Sequence, residues 1–154
     1  MTQAVLATLA VRILLVLLFF PFSALDKICD FRGALAQARE IASGGLAVVL
    51  ILLGVTVEVL MPLAVLTGTA DRAAGFVLAG YCIVTALLWK QFWKPGDFWA
   101  GGDSKGRVLF WDFLKNVSLA GGFLLLVVGT HGGVGSFLAD PFASSQPYAE
   151  QHLP

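Results

Sequence analysis

Four long apolar stretches, a small share of charge and no segment striped like a surface helix predict an all-α integral membrane protein. The expected architecture is a four-helix bundle with a short interfacial helix after the first span. The chain has 154 residues, 58% hydrophobic and 13% charged, about half the charged share of an ordinary soluble domain. Its mean hydropathy is +0.84. The apolar blocks run over about residues 4–25, 44–66, 73–89 and 108–130, each within the roughly 17–25 residues that cross a hydrocarbon core. None carries a polar stripe at the helical period. A chain in lipid must satisfy its backbone internally, which selects helices. The whole is read as one membrane domain with a polar tail over residues 131–154.

The first block is expected to stay as a span rather than be cleaved as a signal. Only Met1, Thr2 and Gln3 precede it, Arg12 interrupts its apolar run, and "PFSAL" is a poor cleavage site. The connection Asp26 to Ser43 carries Ile28, Phe31, Leu35, Ala38 and Ala42 at helical spacing, with Arg32, Arg39 and Glu40 off that stripe. This is the pattern of a helix lying at a membrane interface. "TGTADR" reads as a tight turn. The third connection, "KQFWKPGDFWAGGDSKGR", sets Phe92, Trp93, Phe98 and Trp99 beside lysines, the composition of an interfacial anchor. The tail is expected to be irregular, with a short contact around Phe137 and Phe142.

Connections one and three carry Lys27, Arg32, Arg39, Lys90, Lys94, Lys105 and Arg107, and the opposite side carries only Arg72. Basic loops stay cytoplasmic, so loops one and three are expected inside and both termini outside. The net charge is zero, which gives no reason to expect a nucleic-acid partner.

Two polar features interrupt the spans. Arg12 cannot shed its charge, and Glu58 is the one acid deep within a block. By helix rise both lie about 12 Å from the same face, so an intramembrane Arg12–Glu58 ion pair is expected. It reads equally as a registry device or as the floor of a polar pocket. In "FWDFLKNVSLAGG", Asp112, Lys115 and Asn116 share a helix face. With Ser23 and Lys27 at the end of the first span they form a second polar patch. Gly121 and Gly122 allow close helix approach. Cys82 is mid-span filler, and Cys29 lies at another depth, so no disulfide is expected. His131 and His152 suggest no metal site, and "GGDSKG" lacks the spacing and strand context of a phosphate loop.

The stretches "RILLVLLFF", "FSALDKICDF", "VEVLMPLAVLTGTADRAAGFVLAGY", "LLWKQFW" and "FLKNVSLAGGFLLL" give the chain a resemblance to the DoxX family of small bacterial membrane proteins, over about Val11 to Val128. Arg12, Ser23, Lys27, Phe31, Glu58, Arg72, Lys115 and Asn116 stand where the family pattern has the same residue types. Three places depart from it: Ser23-Ala24 for Ser-Gly, Lys90 for His, and "EVLMPL" for a glycine-rich stretch. The resemblance implies an inner-membrane four-helix bundle and a redox-associated accessory role, linked to quinones or to sulfur and thiol chemistry. No cofactor motif is visible in the chain, so a quinone is the one cofactor implied. The implied partners are the bilayer, a membrane or soluble redox protein, or a second copy of the chain. A non-catalytic scaffold is the alternative. A small-molecule transporter comes third, because short loops and no inverted repeat leave little room for a path.

Overall fold

The computed structural model describes residues 2–129 and 133–149; His131, His152 and the last residues of the tail lie outside them. Among the described residues the regular secondary structure is all α-helix, with no strand. The helices are α1 (Gln3–Val16), α2 (Phe20–Cys29), α3 (Phe31–Arg39), α4 (Gly45–Thr67), α5 (Asp71–Trp89), α6 (Lys105–Val128) and α7 (Gly133–Ala139). The stretch Gln3–Cys29 and helices α4, α5 and α6 are each long and apolar enough to cross a membrane. The first expected span is therefore two helices, broken at Leu17–Phe19. Pro21, in the first turn of α2, cannot donate to the carbonyl four residues back, which ends α1.

The distribution of side chains is that of a membrane bundle. Leu14, Leu18, Phe22, Leu52, Leu60, Leu63 and Leu125 lie on the outside, while Arg12, Glu58, Asp71 and Arg72 are buried. Water would favour the reverse; in lipid, ionisable groups turn to the bundle interior. On span one, Arg12, Val16, Phe20, Ala24 and Lys27 recur at spacings of three and four and form the inner face. On α4 the buried stripe is Ala47, Ile51, Gly54, Glu58, Pro62 and Val65. Helix α5 packs closely on α6 where Gly75 lets the backbone approach: a Cβ there would come within 3.2 Å of the Phe123 carbonyl oxygen.

The core is an apolar layer at mid-bundle. Val16, Phe20, Val65, Leu78 and Phe123 are fully buried in it, and the Phe20 and Phe123 rings lie 5.6 Å apart. A second cluster joins Ala38 of α3 to Ala47 and Ile51 of α4. The expected loop-one helix is thus present and is held by its later residues. Ile28 and Phe31, at the start of the same stripe, are exposed.

Loop three folds around Phe92, whose ring meets those of Trp93, Phe110 and Phe113 at 5.0, 5.1 and 5.5 Å. Asp97 closes the loop by accepting hydrogen bonds from the backbone N–H groups of Lys105 (2.7 Å) and Gly106 (2.8 Å). These are orphan donors at the start of α6. The Gly106 hydrogen bond is the main cause that holds the Asp97 carboxyl below its ordinary pKa. A carboxylate with a depressed folded pKa stabilises the fold above its unfolded pKa and loses that contribution as pH falls through the folded value. Asp97→Asn is therefore expected to lower the unfolding temperature in detergent at pH 7. The gap from the parent protein should close as pH is lowered through the acidic carboxylate range; a gap independent of pH would exclude a charged cap.

Candidate functional site

Two polar centres lie on either side of the apolar layer, and neither is the expected Arg12–Glu58 pair. Arg12 donates to Asp71 Oδ2 at 2.6 Å, to Ser145 Oγ at 2.9 Å and to the Val65 carbonyl. Glu58 is bound instead by Lys27, Ser23 and Tyr81. Equal depth along the helix axes does not decide the pairing, because side-chain direction matters as well. Span one meets α4 at Arg12 with Val65 and at Lys27 with Glu58, so the two run antiparallel. A helical side chain leans toward its own N-terminus. Arg12 and Glu58 therefore lean apart from a common depth, whereas Lys27 and Glu58 lean together.

At the tail end, Arg12 joins three segments. It satisfies a carbonyl in the last turn of α4, where four carbonyls lose their helical partners, and it pairs with the acid in the first turn of α5. Positive charge at a helix C-terminus and negative charge at an N-terminus both follow the helix dipole. The tail closes this centre. The backbone N–H of Ser145 donates to Asp71 Oδ1 at 2.8 Å, its hydroxyl donates to Oδ2, and the Tyr148 hydroxyl donates to the Leu66 carbonyl. The Arg12 guanidinium lies 5.9 Å from the Tyr148 ring centre. Arg72 acts alike on α6 and α7. It donates to the Val127 carbonyl (2.9 Å), the Gly133 carbonyl (3.0 Å) and Ser136 Oγ (2.7 Å). The tail expected to be irregular is thus docked. Its contact residue is the buried Phe137, 5.5 Å from Phe76, while Phe142 is exposed.

At the loop end, Glu58 is 1% exposed. Its Oε1 accepts from Ser23 Oγ (2.7 Å), Lys27 Nζ (2.8 Å) and Tyr81 OH (2.8 Å); its Oε2 accepts from Lys27 at 3.0 Å. Lys27 also donates to Ser23 Oγ at 2.7 Å. These groups form one end of a cavity of about 440 Å³, within the size range of small-molecule sites. Phe19, Leu50, Ile51 and Trp89 supply apolar wall; Thr85, Lys90 and Asn116 add polar groups. Gly54 faces Tyr81, whose hydroxyl would lie 3.4 Å from a Cβ at that position.

The expected second patch divides. Ser23 and Lys27 belong to the Glu58 network. Asp112 instead pairs with Lys90 at 3.2 Å and Lys115 at 3.4 Å, and its backbone carbonyl accepts from Asn116 Nδ2 at 2.9 Å. Asn116 joins the two halves only by lining the cavity. Sequence reasoning missed Asp71, Tyr81 and Ser145. An acid opening a helix after a turn was a legible signal for Asp71; Tyr81 lay in an apolar block and Ser145 far along the chain, with no local sign of a partner. Cys29 and Cys82 are both free; Cys82 is buried in the core and lines the cavity.

Breaking one partner of a buried pair costs about 3–5 kcal/mol, more than replacing both with apolar groups. Lys27, partly exposed, should fall at the low end: Lys27→Met should lose about 3 kcal/mol in detergent unfolding, and Lys27→Met with Glu58→Gln should recover part of it. A double variant no better than the single would refute the pairing. At the tail end, Ser145→Ala and Asp71→Asn should cost less together than separately, with a coupling of about 0.5–3 kcal/mol. Strict additivity would mean that the tail does not read Asp71.

The DoxX family model matches residues 7–91. That segment contains Arg12, Ser23, Lys27, Glu58, Asp71 and Tyr81, and ends before α6 and its "FLKNVSLAGG" stretch. No curated protein and no solved structure matches the chain. With more than half of its length matched and four helices of membrane-spanning length, the chain belongs to the DoxX family.

Proposed function

We propose that this protein is a redox-associated membrane subunit whose Glu58 cavity holds the head group of a lipid-soluble carrier of the quinone type. The observation that carries the reading is the uneven use of the Glu58 carboxylate. Oε1 accepts three hydrogen bonds and Oε2 one. A carboxylate is an acceptor only, so Oε2 is the atom left to receive a donor from a ligand. A quinol hydroxyl is such a donor, and the aromatic wall at Phe19 and Trp89 suits a flat ring. Lys27, held on the same carboxylate, stabilises its charge and offers a proton path toward the loops.

In this role the chain binds and orients the head group beside the Glu58 carboxylate, while electrons pass to or from a redox partner. The basic side chains of loops one and three favour placing this end on the cytoplasmic face of the bacterial inner membrane. The apolar layer at Val16, Phe20, Leu78 and Phe123 separates the two polar centres, which favours a binding role over a transport path.

A short-chain benzoquinone titrated into the purified protein should quench tryptophan fluorescence saturably, and Trp89→Phe should remove most of the quenching. Glu58→Gln should weaken binding of the reduced quinol about tenfold, as expected for loss of one charge-assisted hydrogen bond. Quenching that never saturates, or that neither variant alters, would overturn the proposal.

A further inference from the structure

A second cavity opens on the flank of the bundle between α1 and α6. Its volume is about 960 Å³, and Leu15, Leu114 and Leu119 give it apolar walls. It shares Phe19, Lys90 and Asn116 with the Glu58 cavity. These three side chains therefore form the wall that the two spaces have in common. The backbone is broken at this junction, where Phe19 has non-helical dihedrals (φ −122°, ψ −57°) between α1 and α2. Non-helical backbone at membrane depth is tolerated where it is covered by protein or lines a cavity, and Phe19 lines both. Phe19 is 44% exposed, whereas its neighbour Phe20 is fully buried. Gly122 marks a close approach of the two helices, since a Cβ there would lie 3.2 Å from Leu15 Cδ1.

We infer that this flank is a lateral entrance from the bilayer, and that the ligand of the Glu58 cavity is one amphiphile with a hydrogen-bonding head and a long apolar tail. The head passes Phe19 and Asn116 to reach Glu58. The tail stays in the groove on Leu15, Leu114 and Leu119. Lys90 and Lys115, bridged by Asp112, form a polar rim to the groove, so the tail runs away from that rim along the leucines. This rests on the head-group reading of the Glu58 cavity and adds the class of tail and the route of entry.

The test compares a benzoquinone bearing a ten-carbon chain with the same ring lacking the chain, using quenching of Trp89. Ser118→Phe and Leu114→Phe place bulk in the groove from the exposed side of α6 and leave the Glu58 network untouched. Each should weaken the tailed compound about tenfold and leave the tailless ring within twofold. Equal effects on both compounds, or none on either, would overturn the entrance while leaving the head-group site standing. Failure of both compounds to bind the parent protein would remove the head-group site and the entrance with it. Displacement of the tailed quinone by a phospholipid that fills the groove without reaching Glu58 would support the tail groove. Displacement of the tailless ring by the same lipid would overturn its separation from the head-group site.

Discussion

A charge removed from water and placed among helices needs an opposite charge or a set of dipoles, and the bundle is organised around that requirement. Arg12 is the clearest case. Its planar guanidinium carries five donors in a fixed fork, and its two terminal nitrogens reach a carboxylate, a hydroxyl and a helix-terminal carbonyl. One side chain thereby ties span one to the end of α4, the start of α5 and the tail. A lysine has the charge but not the spread of donors, so it could not hold all of these together.

Along span one the inner face changes character in a regular order: Arg12, then Val16 and Phe20, then Ser23 and Lys27. Helix α5 repeats the order with Asp71, Leu78 and Tyr81. The apolar layer between the two centres holds them apart and supplies the packing that positions both. The tail-end centre is mostly satisfied within itself, through Asp71, Ser145, Tyr148 and the carbonyls of Val65 and Leu66, and only Arg12 Nε is a buried side-chain polar atom without a partner among the described residues. The loop-end centre borders a cavity and leaves one carboxylate oxygen lightly used. That asymmetry is what favours the proposed division, with structure at one end and binding at the other. Pro62 lies beside this centre: its ring removes the N–H that would bond the Glu58 carbonyl, a local weakening of α4 at Glu58.

Much of the fold was readable from composition and block length. The apolar blocks at 44–66, 73–89 and 108–130 became α4, α5 and α6 with no end moved by more than three residues. The loop-one helix announced itself through Leu35, Ala38 and Ala42, and the turn before Asp71 through its glycine. The break in span one was less visible, because Pro21 near the end of an apolar run could equally have marked the first turn of a continuing helix. The ion pairs were only half legible. Arg12 and Glu58 were identified as residues that needed partners, but equal depth did not make them partners.

What the sequence by itself determined was the solvent and the inventory: a chain for lipid, helices of spanning length, and a few charges that had to be internal. These follow from local chemistry, since hydropathy and length are properties of segments. The tertiary structure decided the pairing. Which charge meets which depends on antiparallel helices, on side chains leaning toward their own N-termini, and on a tail that returns to Arg12 over a separation of 133 residues. It also decided that the Glu58 cavity and the flank groove share Phe19, because a shared wall belongs to several helices at once.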